Sequence, residues 1–254
     1  MRIDLSGKVA LVTGGTGDLG RVIAATLSEC GAKVVIQYHH NVAKAEEILN
    51  KIHGRDGRAM AVQADITQAY SVEKMKQAVC LEFGDPDIIV NSAVIQYEPK
   101  KPVLEQEIAD YESQFRSCVV QNVLMAQAFV PAMVRKGWGR VIGINTECSM
   151  LYNELHSAYV SGKRGMDGVL RVLAKEVGPH QVTVNQIAPG FMISDRERAM
   201  NRLHLDWYEK EVPLRRRGED LDVANAVAFL ASDLASFITG AFLPVCGGHV
   251  MPAI

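Results

Sequence analysis

Tyr159 and Lys163 lie four residues apart, near the start of a segment with helical spacing. On a helix, residues at this spacing share one face, so the ammonium would lie one turn from the phenol. A phenol is a poor acid or base near neutrality because its ordinary pKa is about 10, and a neighbouring ammonium lowers that pKa. Thr146 adds a hydroxyl after the apolar run 141–144. These three side chains could bind a carbonyl oxygen and give it a proton, although a Tyr–Lys pair can also be accidental.

A glycine-rich turn at residues 13–20 follows the first apolar run and precedes a segment of helical pattern. Within it, Gly15, Gly17 and Gly20 have the spacing G-x-G-x-x-G. Glycines let the backbone approach a pyrophosphate, and the N-terminus of the following helix attracts its charge. The motif alone is weak because such turns are common, but its place between strand and helix predicts a dinucleotide-binding loop.

The end of the second predicted strand, 33–38, bears on the choice of cofactor. An NAD site usually has Asp or Glu there to hold the ribose 2′-hydroxyl, whereas this chain has Tyr38, His39 and His40. Protonated imidazoles could bind the 2′-phosphate of NADP. The sequence therefore favours NADP over NAD, although the same residues could simply lead into the helix predicted over 42–52.

The remaining pattern predicts the elements that position these residues. Strands are predicted at 9–12, 59–64, 87–90, 141–144, 182–187 and 241–245, and helices lie between them, the longest at 111–135 and 159–177. This alternation predicts an α/β fold, a doubly wound parallel sheet (Rossmann) in three αβα layers. Asp65, Asn91, Thr146 and the glycine turn all follow strands, at the edge where such folds bind ligands.

The chain shows no linker, repeat or low-complexity segment, so we expect one dinucleotide-binding and catalytic domain over residues 1–254. Residues 191–212 are mixed and charged, with Trp207 and Tyr208 among them. This composition predicts a mobile lid more than a part of the core.

The composition argues against several classes of function. With 48% hydrophobic and 22% charged residues the chain is typical of soluble globular proteins, and a net charge of −2 gives no basic field for nucleic acid or an acidic membrane. The five cysteines have no metal-ligand spacing with the histidines, so no metal is expected. No stretch approaches the about 18 apolar residues of a membrane span, and the beginning lacks the apolar core of a signal peptide, so a cytoplasmic protein is expected.

Taken together, these motifs resemble those of the short-chain dehydrogenase/reductase family over nearly the whole chain. The resemblance rests on the order and spacing of the turn 13–20, Asp65, Asn91 with Ala93, Thr146, Tyr159 with Lys163, Pro189-Gly190 and the tail 238–248. It implies a nicotinamide cofactor and reversible hydride transfer between a carbonyl and an alcohol. Tyr159 would be the acid/base, Lys163 would hold the nicotinamide ribose and lower the pKa of Tyr159, and Thr146 would orient the substrate oxygen. The compact branch, and especially the 3-oxoacyl-carrier-protein reductases, is most similar.

The resemblance also implies the residues that bind the cofactor. They are Gly14, Gly15, Thr16, Gly17, Asp18, Leu19, Gly20, Tyr38, His39, His40, Asp65, Ile66, Asn91, Ser92, Ala93, Tyr159, Lys163, Pro189, Gly190, Met192 and Ser194. The expected partners are a small-molecule substrate and, by resemblance, further copies of the chain in a homo-tetramer. The small residues Ala158, Gly162 and Gly165 would let helices approach across such an interface, or else pack within one subunit.

Several residues depart from the family pattern, and Asp18 and Cys118 are the departures that bear most on function. The carboxylate of Asp18 would repel a pyrophosphate unless it faces solvent. Cys118 stands where resembling enzymes have an asparagine in a proton relay to the lysine, and a thiol is only a weak hydrogen-bond donor and acceptor. Asn122, one helical turn further on, could reach the lysine through a different water.

The sequence leaves competing functions. The first is an NADP-linked ketone reductase for an oxoacyl, polyketide-like or sugar-like substrate; the second is a degenerate member that binds dinucleotide as a sensor or scaffold. An NAD-linked polyol or hydroxysteroid dehydrogenase is the alternative among enzymes. Cys118 and Asp18 favour the sensor, whereas intact Thr146, Tyr159 and Lys163 favour the enzyme. A polar ligand is suggested by the residues near the expected pocket, Glu147, Asn153, Glu154 and His156.

Overall fold

Seven parallel strands form one sheet in the computed structural model, which describes residues 3–95 and 100–252. The strands are β1 Val9–Thr13, β2 Lys33–Tyr38, β3 Ala59–Gln63, β4 Ile88–Asn91, β5 Gly139–Ile144, β6 Val182–Pro189 and β7 Phe242–Val245. Their order is β3-β2-β1-β4-β5-β6-β7, and every neighbouring pair is parallel. The order reverses between β1 and β4, which confirms the predicted doubly wound Rossmann architecture.

Helices cover both faces of this sheet. They are α1 Asp18–Glu29, α2 Val42–His53, α3 Ala69–Glu82, α4 Ile108–Phe115, α5 Gln121–Lys136, α6 Cys148–Leu151, α7 Ser157–Val177, α8 Asp195–Ala199, α9 Asp206–Glu211 and α10 Asp220–Ala231. Short 3-10 turns lie at Gly178–His180 and Asp233–Ala235. Because both faces are covered, β1, β5 and β6 are buried along their whole length and consist mostly of apolar residues.

Two hydrophobic clusters lie between the three layers, one on each face of the sheet. On one face, Ile23 of α1 and Val227 of α10 pack with Val12 of β1. On the other face, Phe129 of α5 and Met166 of α7 belong to a second buried cluster with strand residues. The two cores hold the sheet rigid, so the loops that follow its strands are fixed at one edge, where the candidate site lies.

The long helix predicted over 111–135 is not continuous. Its α-helical parts α4 and α5 are joined by a π-helical segment, Arg116–Val120, which contains Cys118. The amide of Asn122 donates to the Cys118 carbonyl oxygen at 2.7 Å and so gives this carbonyl a partner within the distorted turn. No local sequence signal marks the distortion.

The same helical run has the composition of a membrane span, contrary to expectation. Residues 108–136 form a helix that is long and apolar enough to cross a membrane, the single such helix in the described ranges. However, half of its most apolar window is buried, and Met125, Phe129 and Met133 lie in the hydrophobic core. Its apolar character is therefore explained by packing against the sheet.

The segment 191–212, here termed the lid segment, contains α8 and α9. Its second half is anchored in the core at two residues, because Tyr208 is 2% exposed and Val212 is 1% exposed. The prediction of a lid up to residue 212 is therefore corrected. The charged residues of α9 lie largely at the surface while Tyr208 is buried. The composition of the segment therefore did not indicate that Tyr208 is buried.

Candidate active site

A cleft of about 1230 Å³ runs along the carboxyl edge of the sheet. Most of the predicted site residues line it: Gly14, Thr16, Gly17, Asp18, Leu19, Gly20, His39, His40, Asp65, Ile66, Ser92, Ala93, Thr146, Tyr159, Lys163, Pro189, Gly190, Met192 and Ser194. The glycine turn and the Tyr159 helix thus contribute to one continuous cleft.

Thr146, Tyr159 and Lys163 meet on one wall of this cleft. The loop after β5 positions Thr146, while α7 carries the other two residues. The Thr146 hydroxyl is hydrogen-bonded to Tyr159 and accepts the Cys148 N–H at 3.2 Å. Lys163 is buried, and its Nζ donates to the Ile144 carbonyl oxygen at 2.6 Å. The arrangement places two hydroxyls where one carbonyl oxygen could contact both.

The pKa of Tyr159 differs from the expectation. Burial, aided by Cys148, raises the pKa of its phenol, and the hydrogen bond with Thr146 only partly opposes this shift. Burial also lowers the pKa of Lys163. Burial outweighs any lowering of the tyrosine pKa by the ammonium, whose Nζ bonds the β5 carbonyl and lies 5.8 Å from the centroid of the phenol ring. Tyr159 is therefore a neutral phenol near pH 7, the form that donates a proton.

The glycine turn forms a cradle that fits a dinucleotide. A Cβ on Gly14, whose φ is +61°, would lie 2.8 Å from the Ala93 Cα, and a Cβ on Gly20 would collide with the Gly14 carbonyl oxygen. No side chain caps α1 at Gly17, so its first N–H groups have no side-chain partner there. Such N–H groups and the helix dipole bind phosphate. The residues present thus fit a pyrophosphate.

Gln37 supports this cradle and was missed by the sequence reasoning. Its Oε1 accepts the Gly14 N–H at 2.8 Å and its Nε2 donates to the Ala64 carbonyl at 2.7 Å. It is 2% exposed, and both ends of its amide are satisfied. A lone polar residue within an apolar strand was the available signal, because a buried amide needs partners.

Asp18 is exposed and is engaged by the lid segment. Its Oδ2 accepts the backbone N–H of Asp195 at 3.3 Å, and Asp195 forms an ion pair with Arg21 of α1. Asp18, which departs from the family pattern, therefore connects the start of α1 with the start of α8.

His39 and His40 stack at the other end of the cleft, with ring centroids 3.6 Å apart. The two imidazoles interact electrostatically with the nearby carboxylate of Asp65. Partial burial acts to raise the pKa of Asp65, but hydrogen bonds from Thr67 and the charge of the two histidines lower it overall. This end of the cleft therefore holds two imidazoles and one carboxylate that is fixed by Thr67 at 2.7 Å and 2.9 Å.

Three predicted cofactor residues lie behind the cleft wall and do not line it. Gly15 donates its N–H to the Gln37 carbonyl at 2.8 Å and packs on β2. Tyr38 is half-buried and alternates with Gln37, so it faces away from the glycine turn. Asn91 is buried, and its amide donates to Asn122 Oδ1 at 2.7 Å. Gly15 and Asn91 therefore support the wall through these hydrogen bonds, whereas Tyr38 lies on the side away from the glycine turn.

Other lining residues were not predicted, since loops far apart in sequence bring them together. They include Asn41, Thr67, Val94, Ile95, Lys100, Ser117, Gln121, Cys148, Phe191, Arg196, Glu197, Met200 and Arg202. Of the four polar residues expected near the pocket, Glu147 and His156 line the cleft, whereas Asn153 and Glu154 do not. No group of three or more His, Cys, Asp or Glu that could hold a metal ion occurs in residues 3–95 and 100–252.

Cys118 is fully buried beside the catalytic wall. Burial raises the pKa of its thiol, while the charge of Lys163 opposes that shift. The expected substitute, Asn122, is engaged at both ends of its side-chain amide: its Nδ2 donates to the Cys118 carbonyl and its Oδ1 accepts from Asn91. These bonds connect the π-helical segment with β4, and a water route from Asn122 to Lys163 stays a prediction.

We expect Cys118→Asn to raise kcat several-fold, because an amide can anchor a relay water that a thiol cannot. Cofactor affinity should change little, since the residue lies behind Lys163. The measurement is kcat with its solvent deuterium isotope effect for wild type and variant, with Cys80→Asn as a control on the distant helix α3. A neutral or slower Cys118→Asn that still folds, together with no isotope effect in the wild type, would show that proton supply is not limiting.

A family model described as enoyl-(acyl carrier protein) reductase matches residues 16–249. The 3-oxoacyl-(acyl-carrier-protein) reductase of Escherichia coli is 34% identical over 250 residues, covering 98% of this chain and 100% of that protein. The same enzyme of Aquifex aeolicus is 34% identical over 251 residues, covering 98% of this chain and 99% of that protein. The matched regions include the residues at both ends of the cleft.

Solved structures agree with the fold. A protein from Agrobacterium tumefaciens, provisionally described as a gluconate dehydrogenase, superposes with a TM-score of 0.91 at 26% identity, covering 99% of this chain and 100% of that one. A variant of a short-chain dehydrogenase/reductase from Serratia marcescens gives a TM-score of 0.88 at 28% identity, covering 96% and 98%.

Proposed function

This chain belongs to the short-chain dehydrogenase/reductase family, and from this premise we propose that it reduces the ketone of an oxoacyl or other polar small molecule. The observation that carries the proposal is the meeting of Thr146, Tyr159 and Lys163 on one wall of a cleft that also contains the glycine cradle. One continuous domain would bind the cofactor and carry out the chemistry.

The geometry supports a role for each of the three residues. Tyr159, a neutral phenol, donates a proton to the carbonyl oxygen, and Thr146 holds that oxygen through its hydroxyl. Lys163 would bind the nicotinamide ribose with protons not used by the Ile144 carbonyl. A bound nicotinamide cofactor supplies the hydride. The cofactor would lie from the His39–His40 pair, past the cradle, to the turn at Pro189–Ser194, with the substrate near Thr146.

The cofactor is proposed to be NADP, because no carboxylate ends β2 whereas two imidazoles do. We expect NADPH to bind more tightly than NADH, because the ribose 2′-phosphate would meet two imidazoles and no carboxylate at the end of β2. Fluorescence titration of both cofactors measures this, with His39→Asp expected to reverse the preference and His53→Asp to leave it unchanged. Equal affinities, or tighter NADH binding by the wild type, would contradict it.

The test of the proposed function is a cofactor titration followed by a substrate panel monitored by nicotinamide absorbance. The panel holds 3-oxoacyl thioesters, sugar acids, polyols and hydroxysteroids. We expect NADPH oxidation with ketones, first among the oxoacyl thioesters. Oxidation of polyols or hydroxysteroids with NAD would instead select the dehydrogenase alternative. Tight cofactor binding without turnover of any compound would indicate the sensor or scaffold.

We also propose a homo-oligomer, a tetramer by resemblance, although not for the reason that the small residues suggested. Gly162 and Gly165 pack against the π-helical segment and α4 of their own subunit. Exposed apolar side chains nearby are the better candidates for an interface: Ile108 is 72% exposed and Phe115 is 54% exposed. Light scattering at micromolar concentration should give the mass of a tetramer, and a monomer alone would refute the proposal.

All five cysteines are free, which supports a cytoplasmic location.

A further inference from the structure

Glu147 is a buried carboxylate that directly follows Thr146, and the proposed proton transfer does not use it. It is 4% exposed, and a buried carboxylate is costly unless it is well hydrogen-bonded. Both of its oxygens are engaged: Oε1 accepts from the Tyr208 hydroxyl at 3.0 Å, and Oε2 lies 3.0 Å from Nδ1 of His249. Both oxygens are therefore already engaged within the chain, although the residue lines the cleft.

Tyr208 connects this carboxylate to the first residues of the lid segment. Its hydroxyl oxygen accepts the Phe191 N–H at 2.8 Å, and a Cβ on Gly190 would collide with the same oxygen. The backbone N–H of Glu147 also donates to the Pro189 carbonyl at 3.0 Å. Glu147 thus holds the chain on both sides of Gly190, through its backbone on one side and through Tyr208 on the other.

The segment after β7 completes this arrangement. The His249 ring meets the Tyr208 ring edge-on with centroids 4.8 Å apart, and its Nε2 lies 3.3 Å from the carboxylate of Glu211. Gly190 donates its N–H to the Val245 carbonyl at 3.0 Å. Three segments that are distant in sequence, the loop after β5, α9 and the tail, therefore converge on one turn of the cleft wall.

We propose that Glu147 and Tyr208 are positioning residues that fix the turn 189–191 and so set where Met192 and Ser194 meet the cofactor. The inference rests on the proposed function, because it assigns a role within the same active site. Glu147 acts through Tyr208 and the backbone, not on the reacting atoms. A misplacement of about 1 Å in such a wall can cost on the order of 10²-fold in rate.

The experiment compares Tyr208→Phe, which removes one hydroxyl, with Glu147→Leu and Glu147→Gln. Three quantities are measured: the rate of tryptic cleavage within the lid segment, the Kd for NADPH, and the temperature of global unfolding. Trypsin has sites there at Arg196, Arg198, Arg202 and Lys210. Tyr70→Phe is the control, because that hydroxyl belongs to a residue 73% exposed on α3.

Tyr208→Phe and Glu147→Leu should raise the rate of lid cleavage and the Kd for NADPH by about tenfold each, the effect of one or two lost buried hydrogen bonds. Glu147→Gln should stay within about threefold of the wild type, because its amide oxygen can still accept from Tyr208. On a substrate that is turned over, Tyr208→Phe should lower kcat as well as raise the cofactor KM. Tyr70→Phe should show the wild-type rate of lid cleavage and the wild-type Kd for NADPH.

Unchanged lid cleavage and NADPH affinity in a folded Tyr208→Phe would overturn the inference. So would a Glu147→Gln variant that loses turnover while its lid is cleaved at the wild-type rate, because Glu147 would then act directly on the substrate. If Glu147→Leu does not fold, Tyr208→Phe decides alone. The cleavage rates need no turnover, so faster lid cleavage in a protein that reduces no ketone supports the positioning role while the proposed function fails.

Discussion

Tyr159→Phe is expected to lower kcat by about 10²–10⁴-fold, the usual contribution of a positioned general acid. The variant removes only the phenolic hydroxyl, which bonds Thr146 and is held neutral by burial. NADPH binding should change little, because the cradle and Lys163 stay in place. The measurements are kcat on a confirmed substrate and the Kd for NADPH on the same preparations.

Tyr152→Phe is the matched control for this substitution. Its hydroxyl accepts from Arg164 at 2.7 Å, and Tyr152 is 64% exposed outside the cleft lining. Its kcat should equal that of the wild type. Wild-type turnover by Tyr159→Phe would instead show that the proton comes from another group.

Thr146→Val should lower kcat by about 10²–10³-fold, comparable to removing one oxyanion-stabilising donor. Valine keeps the shape and the stiff χ1 of threonine but cannot bond Tyr159 or a carbonyl oxygen. The loss should fall on kcat more than on the substrate KM, because the contact strengthens as charge develops on the oxygen. Steady-state kinetics of the variant measure both parameters.

Thr146→Ser separates the hydroxyl from the packing. It restores the acceptor for the Cys148 N–H, which Thr146→Val leaves unpaired at a cost of about 1 kcal/mol in stability. We expect Thr146→Ser to retain kcat within a few-fold of the wild type. If serine and valine were equally impaired, the methyl group would matter more than the hydroxyl, and the assigned role would be wrong.

The sequence predicted the sheet well because its central strands β1, β4, β5 and β6 are short, mostly apolar and buried along their whole length, which leaves a clear pattern. The predicted range 33–38 agrees with β2, and the predicted range 59–64 agrees with β3 to within one residue. The residues that line the cleft follow strands, so fold alone brings Thr146 near the glycine turn. These features depend on local composition and on the rule that the carboxyl ends of parallel strands lie at one edge of the sheet.

What escaped prediction depends on contacts between distant segments. The π-helical turn at Cys118 has no local signature, and the Tyr159 pKa depends on burial and on where the lysine Nζ turns. Tyr208 looked like part of an exposed lid because its neighbours are charged, yet its partners are Glu147 and His249 from other parts of the chain. Such pairings are set by tertiary structure.

The central claim is hydride transfer to a carbonyl carbon while Tyr159 protonates its oxygen. The most direct measurement uses NADPH that carries two deuterium atoms at its reactive nicotinamide carbon, a 3-oxoacyl thioester, and mass spectrometry of the product. We predict that the wild type forms an alcohol with one deuterium at the carbinol carbon, while Tyr159→Phe binds NADPH and forms almost none. An unlabelled alcohol, or equal labelled product from both proteins, would contradict this account.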